Sequence, residues 1–162
     1  VTSFAATQDR DGNRAPFASF FGLPFREKKT ITFDGNTVNG IGDHDGTADP
    51  TTLFTVTGDV AVVVVGVVKT TLVGAATIEV GVTGATAAIL AQVADATLLA
   101  VNEFWGADAT PSLAEAIAAR AHGIGGGLDI IMTLGTANVT AGVIDFYCFW
   151  VPVSSDGNVV AA

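Results

Sequence analysis

A chain of 162 residues, 49% hydrophobic and only 14% charged, has enough material for one domain with a full core. Its low charge density points to surface hidden by association with copies of itself or with a larger assembly. A net charge of −9 excludes nucleic acid and anionic membrane as partners of the bulk of the chain, and a single cysteine, Cys148, excludes a disulfide framework or a cysteine-built metal cluster.

Charge is divided sharply along the chain. Residues 1–29 hold Arg10, Arg14, Arg26, Lys28 and Lys29 against Asp9, Asp11 and Glu27, a net of +2. Residues 30–162 hold only Lys69 and Arg120 against 13 carboxylates, a net of −11. A basic segment ahead of an acidic body reads as an arm that docks on an acidic surface, another copy of the chain included. Asp9 to Asn13 is turn chemistry, and Pro16 and Pro24 break any continuous helix or central strand. Phenylalanines at 17, 20, 21 and 25 give the arm apolar anchors for grooves on this subunit or the next. The expected organisation is a docking arm over 1–29 and a β body over 30–162, with Arg10, Arg14, Phe17, Phe20, Phe21, Phe25 and Arg26 as the docking residues. The amino-terminal residues lack the basic region followed by an apolar block that a signal peptide requires.

From Lys29 onward the pattern is β. Lys29 to Phe33 alternates and stops at Asp34-Gly35-Asn36. Residues 34–51, rich in Asp, Gly, Asn and Thr, form a long loop. Phe54 and Val56 alternate with Thr55 and Thr57, and a turn follows at Gly58-Asp59. Val60 to Val68 is apolar on both strand faces, which predicts cover on both sides, by a second sheet and a partner subunit for instance. At nine residues it falls short of the ~20 that a membrane helix needs. Ile78, Val80 and Val82 alternate cleanly, and Thr83-Gly84 turns the chain back into Ala87 to Gln92. Ser112 to Glu115 fits a capping box, with Leu113, Ile117 and Ala121 at helical spacing, so one short helix is expected, ending by His122-Gly123. Ile130, Met132 and Leu134 share one strand face. Beyond the loop 135–142, Ile144, Phe146, Cys148 and Trp150 face one way and Asp145, Tyr147 and Phe149 the other, until Pro152. Eight or so short strands between Gly/Asp/Asn turns predict an antiparallel β-sandwich, the jelly roll being its eight-strand form.

Motifs that carry chemistry are scarce. Asp43-His44-Asp45-Gly46-Thr47-Ala48-Asp49 places three carboxylates and an imidazole in an oxygen-rich loop of the kind calcium takes. It lacks the bidentate acid that completes such a loop, so it reads as a surface loop and no metal is assigned. Asp9, Asp11 and Asn13 form a weaker version. His44 and His122 are the only imidazole bases, and no Gly-x-Ser-x-Gly elbow accompanies the serines. Gly123 to Gly127 lacks the Lys-Ser/Thr of a phosphate loop. Glu103-Phe104-Trp105 reads as a strand-end aromatic pair in the core, and Cys148 as a small buried apolar residue. No catalytic residue and no cofactor is expected.

Three stretches carry a resemblance. Asp9-Arg10-Asp11-Gly12-Asn13-Arg14-Ala15-Pro16 resembles the Arg-Asp-x-Asn-Arg-x-Pro segment near the amino terminus of many tailed-bacteriophage virion proteins. Thr71-Leu72-Val73-Gly74-Ala75-Ala76-Thr77-Ile78-Glu79-Val80-Gly81 and the stretch from Asp145 through Pro152 to Val159 are similar to the bodies of phage and prophage structural proteins. The resemblance covers most of the chain after Lys29. It implies a virion component: a capsid decoration (cement) protein, or else a head-fibre or tail subunit that binds host-surface glycan through loops 34–51 and 102–112 with Trp105. The expected partners are the major capsid protein and two further copies in a homotrimer, located on the capsid surface.

Overall fold

Alternation of apolar and small polar residues sorts the chain into two antiparallel sheets in the computed structural model, which describes residues 23–35, 38–106, 111–114 and 121–162. The strands are β1 (Phe25–Phe33), β2 (Thr51–Thr57), β3 (Val60–Val73), β4 (Thr77–Val82), β5 (Ala85–Val93), β6 (Phe104–Trp105), β7 (His122–Ile124), β8 (Ile130–Gly135), β9 (Ala141–Pro152) and β10 (Asn158–Ala161). The first sheet runs β1-β9-β3-β6, with β7 also paired to β3; the second runs β10-β2-β8-β4-β5. Since β6 and β7 both lie along one edge of β3, the two orders reduce to 1-9-3-6/7 and 2-8-4-5. That is the jelly-roll arrangement of a β-sandwich, with β10 added beside β2.

The inner faces of both sheets build one core. Ile31 and Phe33 of β1, Val60, Val62, Val64 and Val68 of β3, and Ile144, Phe146, Cys148 and Trp150 of β9 meet Phe54, Val56, Ile78, Val80, Leu90, Ile130, Met132 and Leu134 of the other sheet. Each such side chain contributes roughly 1.5–3 kcal/mol of burial. The Trp105 indole, paired through its backbone with Gly66 of β3, is fully buried edge-on to Phe146 at 6.0 Å.

Connections fall at two ends. One end gathers loop 34–50, the 74–76 turn, loop 94–103 and loop 136–140, and these are laced together. The Leu72 N–H donates to the Leu99 carbonyl at 3.1 Å, that of Ala96 to Ala76 at 2.8 Å, and that of Val139 to Gly42 at 2.9 Å. Gly42 sits at φ +114, and a Cβ there would run into the Val139 carbonyl, so glycine is what lets the two loops touch. The β4–β5 turn, at the other end, relies on Gly84 at φ +85.

One expected boundary changes. Strand β1 begins at Phe25, so the last five residues assigned to the arm belong to the body's sheet. Ser112, expected to cap a helix, exchanges backbone hydrogen bonds with Phe104 at 2.8 and 3.2 Å, and 113–114 form a turn; the expected helix beyond it, 115–120, lies outside the described residues. The described residues contain no α-helix, only a 3₁₀ turn over Ala96–Leu98 capped by Asp95. The sequence reading saw β6 only as a strand end and passed over β7 and β10. The first two are two and three residues long, too short to register a period.

Candidate docking surfaces

The root of the arm is the best-defined feature. Phe25 faces inward on β1 opposite Trp150, and the rings stack at 4.7 Å with 30° between planes. On the outward side of the same strand, the Lys28 ammonium lies 2.8 Å from Asp145 Oδ2 and 5.8 Å from the centre of the Tyr147 ring. The Thr30 hydroxyl donates to Asp145 Oδ1 at 2.6 Å. Asp145 is buried, which by itself raises its pKa, but the bonds from Lys28 and Thr30 outweigh that and hold it below the ordinary carboxylate range. The same hydrogen bond raises the Lys28 pKa. Lys29 Nζ reaches the backbone carbonyl of Ala162, tying the arm's root to the far end of the chain. Strand β1 is therefore locked at three points just after the arm enters it.

The two outer faces differ in kind. That of the β10-β2-β8-β4-β5 sheet carries small and polar residues such as Thr55, Thr57, Thr77, Glu79, Thr133 and Gln92, with Gln92 donating to Glu79 at 2.8 Å. That of the first sheet carries Val63 and Val65 of β3, buried together with Leu23 and flanked by half-buried Phe104, Phe149 and Val151. The cover expected on both sides of the valine strand is thus the second sheet on one side and, on the other, a satellite cluster that includes a residue from just ahead of β1.

The loop end is acidic, with Asp34, Asp43, Asp45, Asp49 and Asp95. The carboxylates of Asp43 and Asp45 and the His44 ring have donor atoms within 4.8 Å of one another. Asp43 serves the loop itself: its Oδ2 accepts the Asn39 N–H at 2.8 Å, which lowers its pKa. His44 Nδ1 lies 2.5 Å from Asn138 Oδ1, so the imidazole clasps loop 136–140. Asp49 Oδ1 accepts the Leu134 N–H at 2.9 Å, and burial raises its pKa. These contacts give the residues of the calcium-like motif structural roles. The same end exposes Val38, Val73, Leu98 and Val101, apolar side chains that sequence periodicity had no means of singling out because they sit at strand ends and in turns.

Other sequence candidates are used elsewhere. Trp105, offered as a glycan-facing residue, is in the core with no exposed surface. His122 pairs with Val62 in the sheet. The Ser154 hydroxyl donates to Asp156 Oδ1 at 2.6 Å and accepts the Asp59 N–H at 2.8 Å, at the end of the sandwich opposite His44. Burial pushes the Cys148 thiol far above its ordinary pKa. Of the docking set, Phe25 and Arg26 lie in β1, Phe25 packed on its own core and Arg26 opposite Phe149. Arg10, Arg14, Phe17, Phe20 and Phe21 lie outside the described residues. Asp145 and Lys28, absent from the set, were legible as the one carboxylate interrupting the apolar run of β9 and a base at matching alternation in β1. Comparison with protein-family models, with curated proteins and with solved structures gives no match.

Proposed function

We propose that the chain is a structural subunit that decorates and stabilises a bacteriophage capsid, acting as a homotrimer attached through its amino-terminal arm, with Arg10 and Arg14 as its basic contacts on the shell. The observation that carries this reading is the way the arm is rooted. A basic segment enters an acidic sandwich through an edge strand held by a stacked aromatic pair, a buried carboxylate–ammonium contact and a tie to the last residue. A tether that transmits load between a shell and a rigid body needs such a root. Attachment adds interface that exists only in the assembled state, and so stabilises the shell by mass action. The exposed Val73, Leu98 and Val101 supply apolar surface for contact between copies.

The test is a reconstruction by electron cryomicroscopy of the virion whose genome encodes the chain. Jelly-roll density at symmetry axes of the head, with arms reaching the major capsid protein, is the expected result. Density on the tail instead, with specific adsorption of the purified chain to host cells, would replace this reading with that of a glycan-binding fibre subunit.

A further inference from the structure

Charge is sorted between two surfaces of the sandwich. The basic side chains among the described residues are Arg26, Lys28, Lys29 and Lys69. Lys29 turns to the sheet edge, where it is tied to the Ala162 carbonyl. Arg26 and Lys28 alternate with the core residues of β1, and Lys69 follows inward-facing Val68 on β3 and acts on the charge of Asp145. These three therefore stand on the outer face of the first sheet. Among the described residues of β1, β9 and β3, Asp145 is the one carboxylate on that face, since Glu27 stands opposite inward-facing Cys148. Asp145 is already taken by Lys28 and Thr30. The face keeps a surplus of positive charge beside the Tyr147 ring and half-buried Phe149 and Val151. The loop end is the reverse. Segments 34–50, 70–76, 94–103 and 136–140 carry Asp34, Asp43, Asp45, Asp49, Asp95 and Glu103 with no lysine or arginine. Val73, Leu98 and Val101 are exposed there at 52%, 56% and 46%. They form one patch, because the Leu72 N–H is bonded to the Leu99 carbonyl and the Val101 N–H to the Thr71 hydroxyl.

We infer that these surfaces are the two halves of one contact between copies of the chain. The outer face of the first sheet receives the loop end of a second copy, with Asp45 and Asp95 toward Arg26, Lys28 and Lys69, and with Val73 and Leu98 toward Tyr147 and Phe149. A second copy is the occupant because each surface offers the charge and the apolar side chains that the other matches. Two copies meeting through any pair of acidic surfaces repel, whereas this pairing attracts. Exposed ion pairs contribute little by themselves, so the charges select the partner and its orientation while the apolar patch supplies the affinity. The inference rests on the reading of the chain as a homo-oligomer and names the contact that makes it one; it does not depend on a capsid.

The experiment is sedimentation velocity on the full chain, at low and at high salt, with circular dichroism as the check of folding. The expected result is an oligomer that dissociates as screening increases. Lys69→Glu and, separately, Asp45→Lys should each weaken self-association by roughly tenfold or more, because each sets like charges against one another. Both substitutions in one chain should restore association, since the exchanged charges meet again across the contact. A parent chain that is monomeric at every salt concentration would overturn both this contact and the homo-oligomer reading. An oligomeric parent whose mass ignores either single substitution would overturn the contact alone. So would association that strengthens with salt, or a double variant that associates no better than the single ones.

Discussion

Replacing Phe25 with alanine tests the root of the arm most directly. The substitution removes a ring stacked at 4.7 Å on Trp150 while leaving the backbone pairing of β1 with β9 in place. Truncating a fully buried phenylalanine costs ~3–5 kcal/mol, so a half-buried ring at a sheet edge should be worth about 2 kcal/mol. The stacking itself supplies ~0.5–1.5 kcal/mol of that. For a domain of this size the loss corresponds to a fall in Tm of roughly 4–8 °C. Urea unfolding followed by tryptophan fluorescence should show the midpoint falling with an unchanged slope. Trp150 is one of two reporters, so its emission should also shift. Amide exchange adds a local readout, in which residues 26–30 lose more protection than the centre of β3. Phe25→Leu should recover part of the loss. A stability change under about 0.5 kcal/mol, the scale of an ordinary surface substitution, would refute the reasoning and mean that β1 is held by its ladder alone.

Asp145→Asn should destabilise the protein at neutral pH. The Asp145 pKa is lowered in the fold, so its contribution is present above the unfolded value of about 4 and lost as pH falls through the folded value. The variant should therefore show a shallower acid limb when stability is measured against pH. Asp49 runs the other way: its pKa is raised by burial, so its contribution is full at low pH and lost as pH rises through the folded value. Asp49→Asn keeps an oxygen for the Leu134 N–H and should raise Tm at neutral pH, the difference vanishing in acid. Cys148, buried with its thiol strongly disfavoured from ionising, should react with a thiol reagent only as fast as the protein unfolds; rapid labelling of the folded chain would contradict its place in the core. Leu98→Asp places a charge among exposed apolar side chains at the loop end, and light scattering should then report a smaller mass than for the parent chain; an unchanged mass would remove this surface from the subunit contact.

Legibility in the sequence followed the strength of the period. Where one face is buried and the other more open, as in Phe54–Thr57 and Ile78–Val82, alternation gave both the strand and its inward residues, because a one-residue slip would expose the whole apolar set. The valine run of β3 announced cover on two sides, but periodicity carries no information about which element supplies it. Leu23 does so from outside the strand, next to a proline, in a place where local pattern says nothing. Trp105 was open to a solvent-facing reading because its strand is two residues long and its pairing partner, Gly66, lies 39 residues away.

The geometry of the sandwich also constrains how copies can meet. The arm enters β1 beside Trp150 and Val62, whereas the acidic loops lie beyond Phe33 at the other end of the same strand. Arg26, Lys28 and Lys29 thus stand toward one end of the described body and the acidic loops at the other, and the two are matched when that end of one copy meets the loops of another. Such a contact is heterologous, and it generates a closed ring or an open lattice but not an isologous dimer.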